Sequence, residues 1–126
     1  MNWRNACIWT SWALIPMAVL LISHGSSLGW LYGTAAAVAH NYHWSEQRRF
    51  YRLDHALAWA CIGANCWLAW FTHSLWVTIA GVFAVLLALQ AYRRAHAHPA
   101  GYDEHHTVWH LWCGLAGWCL AWGYVG

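Results

Sequence analysis

Histidine is the residue type with the most chemical potential in this sequence, since the 126-residue chain contains ten of them. His106 and His110 are spaced i, i+4, so on a helix both imidazoles project from one face and can reach the same metal ion. His40 and Asp54 stand at the ends of two other apolar segments. Three imidazole nitrogens and one carboxylate oxygen suit zinc and leave a coordination position for water. We therefore predict a zinc site made of His40, Asp54, His106 and His110.

A zinc site of this composition would activate a water molecule. Zinc lowers the pKa of bound water to about 7, which makes hydroxide available at neutral pH. Asp54 and His40 are the predicted catalytic residues, because a carboxylate or imidazole beside the metal can move the proton. Three further histidines flank these ligands in the sequence and are predicted to orient them from a second layer: His43, His55 and His105. Each of the three is also a ligand if the helical register is shifted.

The composition indicates an integral membrane protein of one domain, residues 1–126. Hydrophobic residues make up 61% of the chain and charged residues 8%, and there are 13 tryptophans. Soluble domains carry about a quarter charged residues, whereas tryptophan is enriched at membrane interfaces. The net charge of +2 is too small for a nucleic-acid-binding surface, so lipids are the expected partners and nucleic acid is not.

The apolar residues form five segments of about 17 to 20 residues, which are 7–23, 27–43, 53–71, 75–92 and 106–124. Each approaches the length needed to cross a hydrocarbon core of ~30 Å as a helix. Open strands are excluded there, because their unpaired backbone groups would find no water to bond. The sequence therefore predicts an all-α bundle of about five transmembrane helices. Four spans, with one segment lying in the interface, is the alternative.

The arginines predict the orientation of these helices. They precede the first segment, fill the connection between the second and third, and end the fourth: Arg4, Arg48, Arg49, Arg52, Arg93 and Arg94. Five alternating helices place all six on one side, while the opposite connections, 24–26 and 72–74, contain no charged residue. By the positive-inside rule the N-terminus is cytoplasmic, in an inner or plasma membrane. The predicted metal site then lies toward the cytoplasmic leaflet.

Each predicted ligand also has a purely structural interpretation. The His106–His110 pair can pack at the membrane interface, and His40 can hydrogen-bond to lipid headgroups. Asp54 can be stabilised by the N-terminal dipole of its own helix. The metal hypothesis gains its weight from the convergence of three helices at one leaflet, since ionisable groups in membrane spans are costly and usually functional.

Two stretches of the sequence resemble a known superfamily. HNYHWSEQRRFYRLDHALAWACIGA, residues 40–64, resembles the second and third helices of hemolysin-III-related proteins and of the progestin and adipoQ receptors. HHTVWHLWCG, residues 105–114, resembles their last core helix. With the alkaline ceramidases they form a superfamily, often called CREST, of membrane-embedded hydrolases that use zinc. The resemblance implies that His40, Asp54, His106 and His110 are the metal-site residues.

The chain departs from this superfamily in two respects. The superfamily has seven core helices and this chain has room for five, so a homodimer or a partner membrane subunit would be needed to close a cavity for an acyl chain. The superfamily also has a serine four residues before the histidine of the second helix, where this chain has Ala36.

Three functions are compatible with the sequence. The first is a ceramidase-like, zinc-dependent membrane hydrolase that cleaves a lipid amide or ester bond with zinc-bound water as the nucleophile. The second is a non-catalytic accessory or assembly subunit with a structural zinc site. The third and least favoured is a b-type haem protein, because histidines on separate helices can ligate haem and tryptophans can pack the macrocycle.

Overall fold

The structure is a computed structural model that describes residues 2–126, within which there are helices and no strands. The helices are α1 (Trp3–Thr10), α2 (Ile15–Ser23), α3 (Leu28–Ser45), α4 (Arg48–Phe71), α5 (Leu75–Ala97) and α6 (Tyr102–Val125). A 3₁₀ turn, Ser11–Leu14, joins α1 to α2 in one segment, and a second one, Pro99–Gly101, precedes α6. The predicted all-α architecture of five helical segments is confirmed.

The first segment is interrupted, whereas a single helix over 7–23 was predicted. Pro16 has no N–H group, and its ring crowds the carbonyl four residues earlier in a regular helix. The chain accordingly takes the tighter 3₁₀ conformation over Ser11–Leu14. The hydroxyls of Thr10 and Ser11 each donate to a backbone carbonyl one turn earlier, both at 2.8 Å. Both residues line an internal cavity.

The connections are short, so successive helical segments run in opposite directions. Glu46 ends α3 in the left-handed conformation, φ 55°, and α4 begins at Arg48, five residues before the predicted start of the third segment. Arg4 Nη2 lies 3.2 Å from Glu46 Oε1 and links α1 to this turn. We call this side of the bundle the histidine end. It contains the start of α1, the end of α3, the start of α4, the end of α5 and the start of α6.

Four of the five segments surround a central space. The α1–α2 segment packs against both α3 and α6, and α4 also packs against both of them. Helices α3 and α6 therefore face each other across the bundle, while α5 lies outside and packs mainly on α6. At the centre is an apolar core whose largest fully buried members are Met17, Leu21, Tyr32, Leu68 and Leu120.

Two segments are long and apolar enough to cross a membrane by length and composition: Trp3–Ser23 and Leu75–Ala97. Within residues 2–126 the other three helices fall short of that threshold, because α3, α4 and α6 carry the histidines and many of the polar aromatic residues. Helix formation by all five predicted spans is thus established, and insertion of all five into a membrane stays a prediction.

Gly114 permits close packing between α6 and the first segment. A Cβ at this position would lie 2.7 Å from Ala13 Cβ and 2.9 Å from the Ala13 carbonyl oxygen, which is backbone and cannot turn aside. We expect Gly114→Ala to destabilise the fold by about 1–3 kcal/mol. The readout is the midpoint of thermal loss of helical circular dichroism in detergent.

Gly63 provides the matched control for this substitution. It also lies within a helix, but a Cβ there would meet nothing within 4 Å among the described residues. Gly63→Ala should leave the midpoint unchanged or raise it, since alanine has the higher helix propensity. Equal midpoints for Gly114→Ala and the wild type would contradict the packing.

Candidate metal centre

Three imidazoles meet inside the bundle at the histidine end. They belong to His43 on α3 and to His106 and His110 on α6, and a nitrogen of each lies within 4.8 Å of a nitrogen of the other two. The ring centroids are 4.7 to 5.1 Å apart. All three residues are buried, and His106 is 0% exposed. The i, i+4 spacing explains why α6 contributes two rings from one face.

The cluster holds nitrogens that lack hydrogen-bond partners. Within residues 2–126, neither ring nitrogen of His106 has a partner, and neither does Nε2 of His43. Nδ1 of His110 lies 3.5 Å from Thr10 Oγ1, which leaves its Nε2 available to a ligand. A buried polar atom without a partner costs about 1–3 kcal/mol. A cation held by the three residues would take up one nitrogen of each ring, so the donor set fits a metal ion.

The ligand set is compatible with zinc. Zn–N distances of about 2.0–2.1 Å place the nitrogens of a tetrahedral site about 3.3 Å apart. The nitrogens of the cluster lie within 4.8 Å of one another, so the rings would have to approach by up to about 1.5 Å to reach this separation. Three histidines with an open fourth position are also a ligand set of catalytic zinc sites.

His40, a predicted ligand, lies outside this group. Its Nδ1 accepts a hydrogen bond from Trp12 Nε1 at 3.0 Å, and its ring packs between Trp12 and Trp44. His40 and His43 are three residues apart, which is about 60° around a helix. The rotation of α3 brings His43 to the centre and turns His40 toward the first segment. The structure therefore joins His43 to the predicted pair on α6.

Asp54 is outside the three-nitrogen group but shares a cavity with one of its members. It is 4% exposed, and its Oδ2 has no hydrogen-bond partner within the described chain. Its closest imidazole is that of His55, whose Nδ1 lies 3.9 Å from Oδ2. Asp54 and His110 both line a cavity of about 40 Å³. A space of this size holds about two or three water molecules.

Of the other two flanking histidines, His55 lies beside the predicted ligand Asp54, with Nδ1 3.9 Å from Oδ2, and neither belongs to the group of three. The ring of His55 packs on Tyr51 at 4.1 Å, and the ring of His105 lies 6.3 Å from that of His98. The rings that contact His106 instead are Tyr102, stacked at 4.9 Å, and Trp109, at 4.7 Å. Burial raises the pKa of the Tyr102 phenol, so this ring stays neutral beside the cluster.

Thr10 is a candidate functional residue that the sequence analysis missed. The expected hydroxyl position on α3 is occupied by Ala36, which is fully buried. Thr10 instead brings a hydroxyl from α1 to within 3.5 Å of His110 Nδ1. The adjacent hydroxyls of Thr10 and Ser11 interrupt the first apolar segment on the side where the arginines lie. That interruption is the signal that could have identified them.

Comparisons with protein-family models, with curated proteins and with solved structures find no match for this chain. Function is therefore inferred from the histidine cluster, the cavity beside it and the composition of the surface.

The two histidines of α3 distinguish the observed cluster from the ligand set predicted by the sequence. We expect His43→Ala to reduce bound zinc by at least about tenfold, because it removes a ligand. His40→Ala should retain zinc, since the ring of His40 lies outside the cluster, between Trp12 and Trp44. The measurement is zinc per chain, by mass spectrometry, after dialysis of detergent-purified protein. Loss of zinc in His40→Ala with retention in His43→Ala would reverse the assignment.

Proposed function

We propose that this protein is a multi-span membrane hydrolase that binds zinc at His43, His106 and His110 and cleaves an amide or ester bond of a lipid. The observation that carries the proposal is the group of three buried imidazoles beside a cavity that contains the Asp54 carboxylate. The resemblance of residues 105–114 to the CREST superfamily supports the same chemistry through the His106–His110 pair, whereas on α3 the ligand is His43 and not His40, which the resemblance implies.

The surface supports the membrane part of the proposal. Large apolar side chains are exposed on every segment, and the most exposed are Trp70 at 84% and Trp76 at 79%. These two flank the connection between α4 and α5, while Trp44, 70% exposed, lies at the histidine end. Soluble monomers rarely expose apolar patches of this extent, and tryptophans at both ends of a bundle are typical of the two membrane interfaces.

The proposed orientation has a cytoplasmic histidine end, because all six arginines lie there. It is tested with single added cysteines at exposed positions and a thiol reagent that cannot cross membranes. We expect His73→Cys, between α4 and α5, to react in intact cells and Glu104→Cys, at the start of α6, to react only after disruption. The parent protein, which contains five free thiols, is the control. The reverse pattern would overturn the orientation.

The residues around the cavity have separable roles in the proposed reaction. Zinc, when bound, supplies a water of lowered pKa. The Asp54 carboxylate accepts a proton from water in the cavity and returns it to the departing amine or alcohol. The Thr10 hydroxyl holds His110 through Nδ1, and Tyr102 and Trp109 cover His106 and exclude bulk water.

The role of Asp54 is tested by Asp54→Asn, which keeps the shape of the side chain and removes its basicity. We expect this variant to retain zinc and to lose about 10²–10⁴-fold in the rate of hydrolysis. The assay is release of fatty acid from a short-chain ceramide and from a fatty acyl ester in detergent micelles.

The control for Asp54→Asn is Glu46→Gln, which neutralises an exposed carboxylate paired with Arg4 and should keep full activity. Full activity of Asp54→Asn would remove the proposed role of this residue. A zinc-loaded wild type that cleaves neither substrate would overturn the hydrolase proposal itself.

A structural zinc site in a non-catalytic subunit is the second candidate function. The complete burial of His106 and the alanine at position 36 favour it. Here zinc would fasten α3 to α6, so chelation would lower the thermal midpoint of a protein that has no hydrolase activity. Haem is disfavoured at this cluster, because axial ligands lie on opposite faces of a porphyrin and rings 4.7 to 5.1 Å apart leave no room for it.

A further inference from the structure

A narrow crevice lies between α4 and α5 on the outer side of the bundle. Helix α5 packs mainly on α6 and only lightly on α4. His55 and Trp59 of α4, Tyr92 of α5 and Trp109 of α6 all line the crevice. The ring of Trp59, 55% exposed, lies 6.1 Å from that of Tyr92, so these two rings close its outer opening.

The crevice adjoins the cavity of the proposed reaction. Ala58, Ile62 and Trp109 line both spaces and form the wall between them. Asp54 and His110 lie on the cavity side of this wall. A molecule that enters the crevice from the membrane is therefore separated from the proposed reaction site by a single layer of side chains.

Two buried polar atoms of the crevice residues have no hydrogen-bond partner within residues 2–126: His55 Nε2 and Trp109 Nε1. Nδ1 of His55 lies 3.0 Å from the Tyr51 carbonyl oxygen, which can only accept, so Nδ1 carries the proton of the neutral ring and Nε2 is an acceptor. The indole N–H of Trp109 is a donor only, and this residue is 4% exposed. The crevice thus pairs one free acceptor with one free donor.

The two atoms lie on rings that flank the same side chain at the same depth. The ring of Tyr92 is 6.2 Å from that of His55 and 5.3 Å from that of Trp109. His55 and Trp109 each follow the first residue of their helix by seven residues, or about 10 Å at 1.5 Å per residue. A secondary amide presents an N–H and a carbonyl oxygen from one planar group, so it complements such a pair. An ester has no N–H to offer.

We propose that the crevice binds the amide group of a membrane lipid, which donates its N–H to His55 Nε2 and accepts from Trp109 Nε1 through its carbonyl oxygen. This inference rests on the proposed function and adds a docking position for the lipid outside the zinc cavity. Both protein atoms are covered in the structure. A lipid reaches them when the rings of Trp59 and Tyr92 part, which the light packing of α4 on α5 permits.

The experiment measures binding separately from hydrolysis. Detergent-purified protein is stripped of zinc with a chelator, so that the proposed reaction cannot consume the probe. The probe is tritiated N-ethyldodecanamide, followed by equilibrium dialysis, and the competitor is ethyl dodecanoate, in which oxygen replaces the N–H. We expect the ester to bind about tenfold more weakly than the amide, because it leaves His55 Nε2 without a partner.

Two variants assign the two hydrogen bonds. Trp109→Phe removes the N–H and keeps an aromatic ring, so it should weaken binding of the amide and the ester by the same factor, about tenfold. His55→Phe should weaken binding of the amide alone and abolish its preference over the ester. The controls are Trp118→Phe and His73→Phe, which lie toward the opposite end of the bundle and should bind both probes like the wild type.

Equal affinity of the wild type for amide and ester, or a preference that persists in His55→Phe, would overturn the docking position. Neither result would affect hydrolysis by the zinc-loaded protein, which is assayed independently. A wild type that prefers the amide but cleaves no lipid when loaded with zinc would retain the docking position and remove the hydrolase.

Discussion

The packing of this bundle depends on three buried imidazoles that lie between α3 and α6 at the histidine end. Helices α3 and α6 face each other across a ring of four segments, and the gap between them is bridged by His43, His106 and His110. Burying imidazole nitrogens without hydrogen-bond partners costs free energy of folding, whereas a leucine side chain could fill the same apolar space without that cost. A bound cation would offset part of this cost, because one ion could take a nitrogen from each of the three residues and link two helices that otherwise do not pack together.

The other polar groups of the interior strengthen this interpretation. At the far end of the cavity, Tyr32 donates a hydrogen bond to Asn65 Oδ1 at 2.7 Å, so this buried pair is satisfied by the fold alone. At the end of the cavity next to His110, by contrast, Asp54 Oδ2 has no hydrogen-bond partner among residues 2–126. Alanines such as Ala35 and Ala58 line the cavity between the two ends and leave it open. Unsatisfied groups are thus concentrated where the proposed chemistry takes place, which is how a binding site differs from a packing defect.

The sequence predicted the helices better than the site, for physical reasons. Hydropathy and chain length are enough to define five helical segments, and Pro16 could have indicated the 3₁₀ turn before it. The pair on α6 follows from i, i+4 spacing within one helix. The choice between His40 and His43 depends on the rotation of α3 by about 60°, which is set by packing against the first segment and not by local sequence. The hydroxyl of Thr10 was missed for the same reason, since only tertiary packing brings α1 to His110.

The depth of the cluster connects the site to the proposed substrate. At 1.5 Å per residue, His43 lies about 3 Å below the end of α3, His106 about 6 Å below the start of α6, and Asp54 about 9 Å below the start of α4. In a bilayer spanned by these helices, such depths correspond to the boundary between headgroups and acyl chains. The amide or ester carbonyls of membrane lipids lie at this boundary. A metal site at this depth would lie level with the carbonyl that the proposed reaction cleaves.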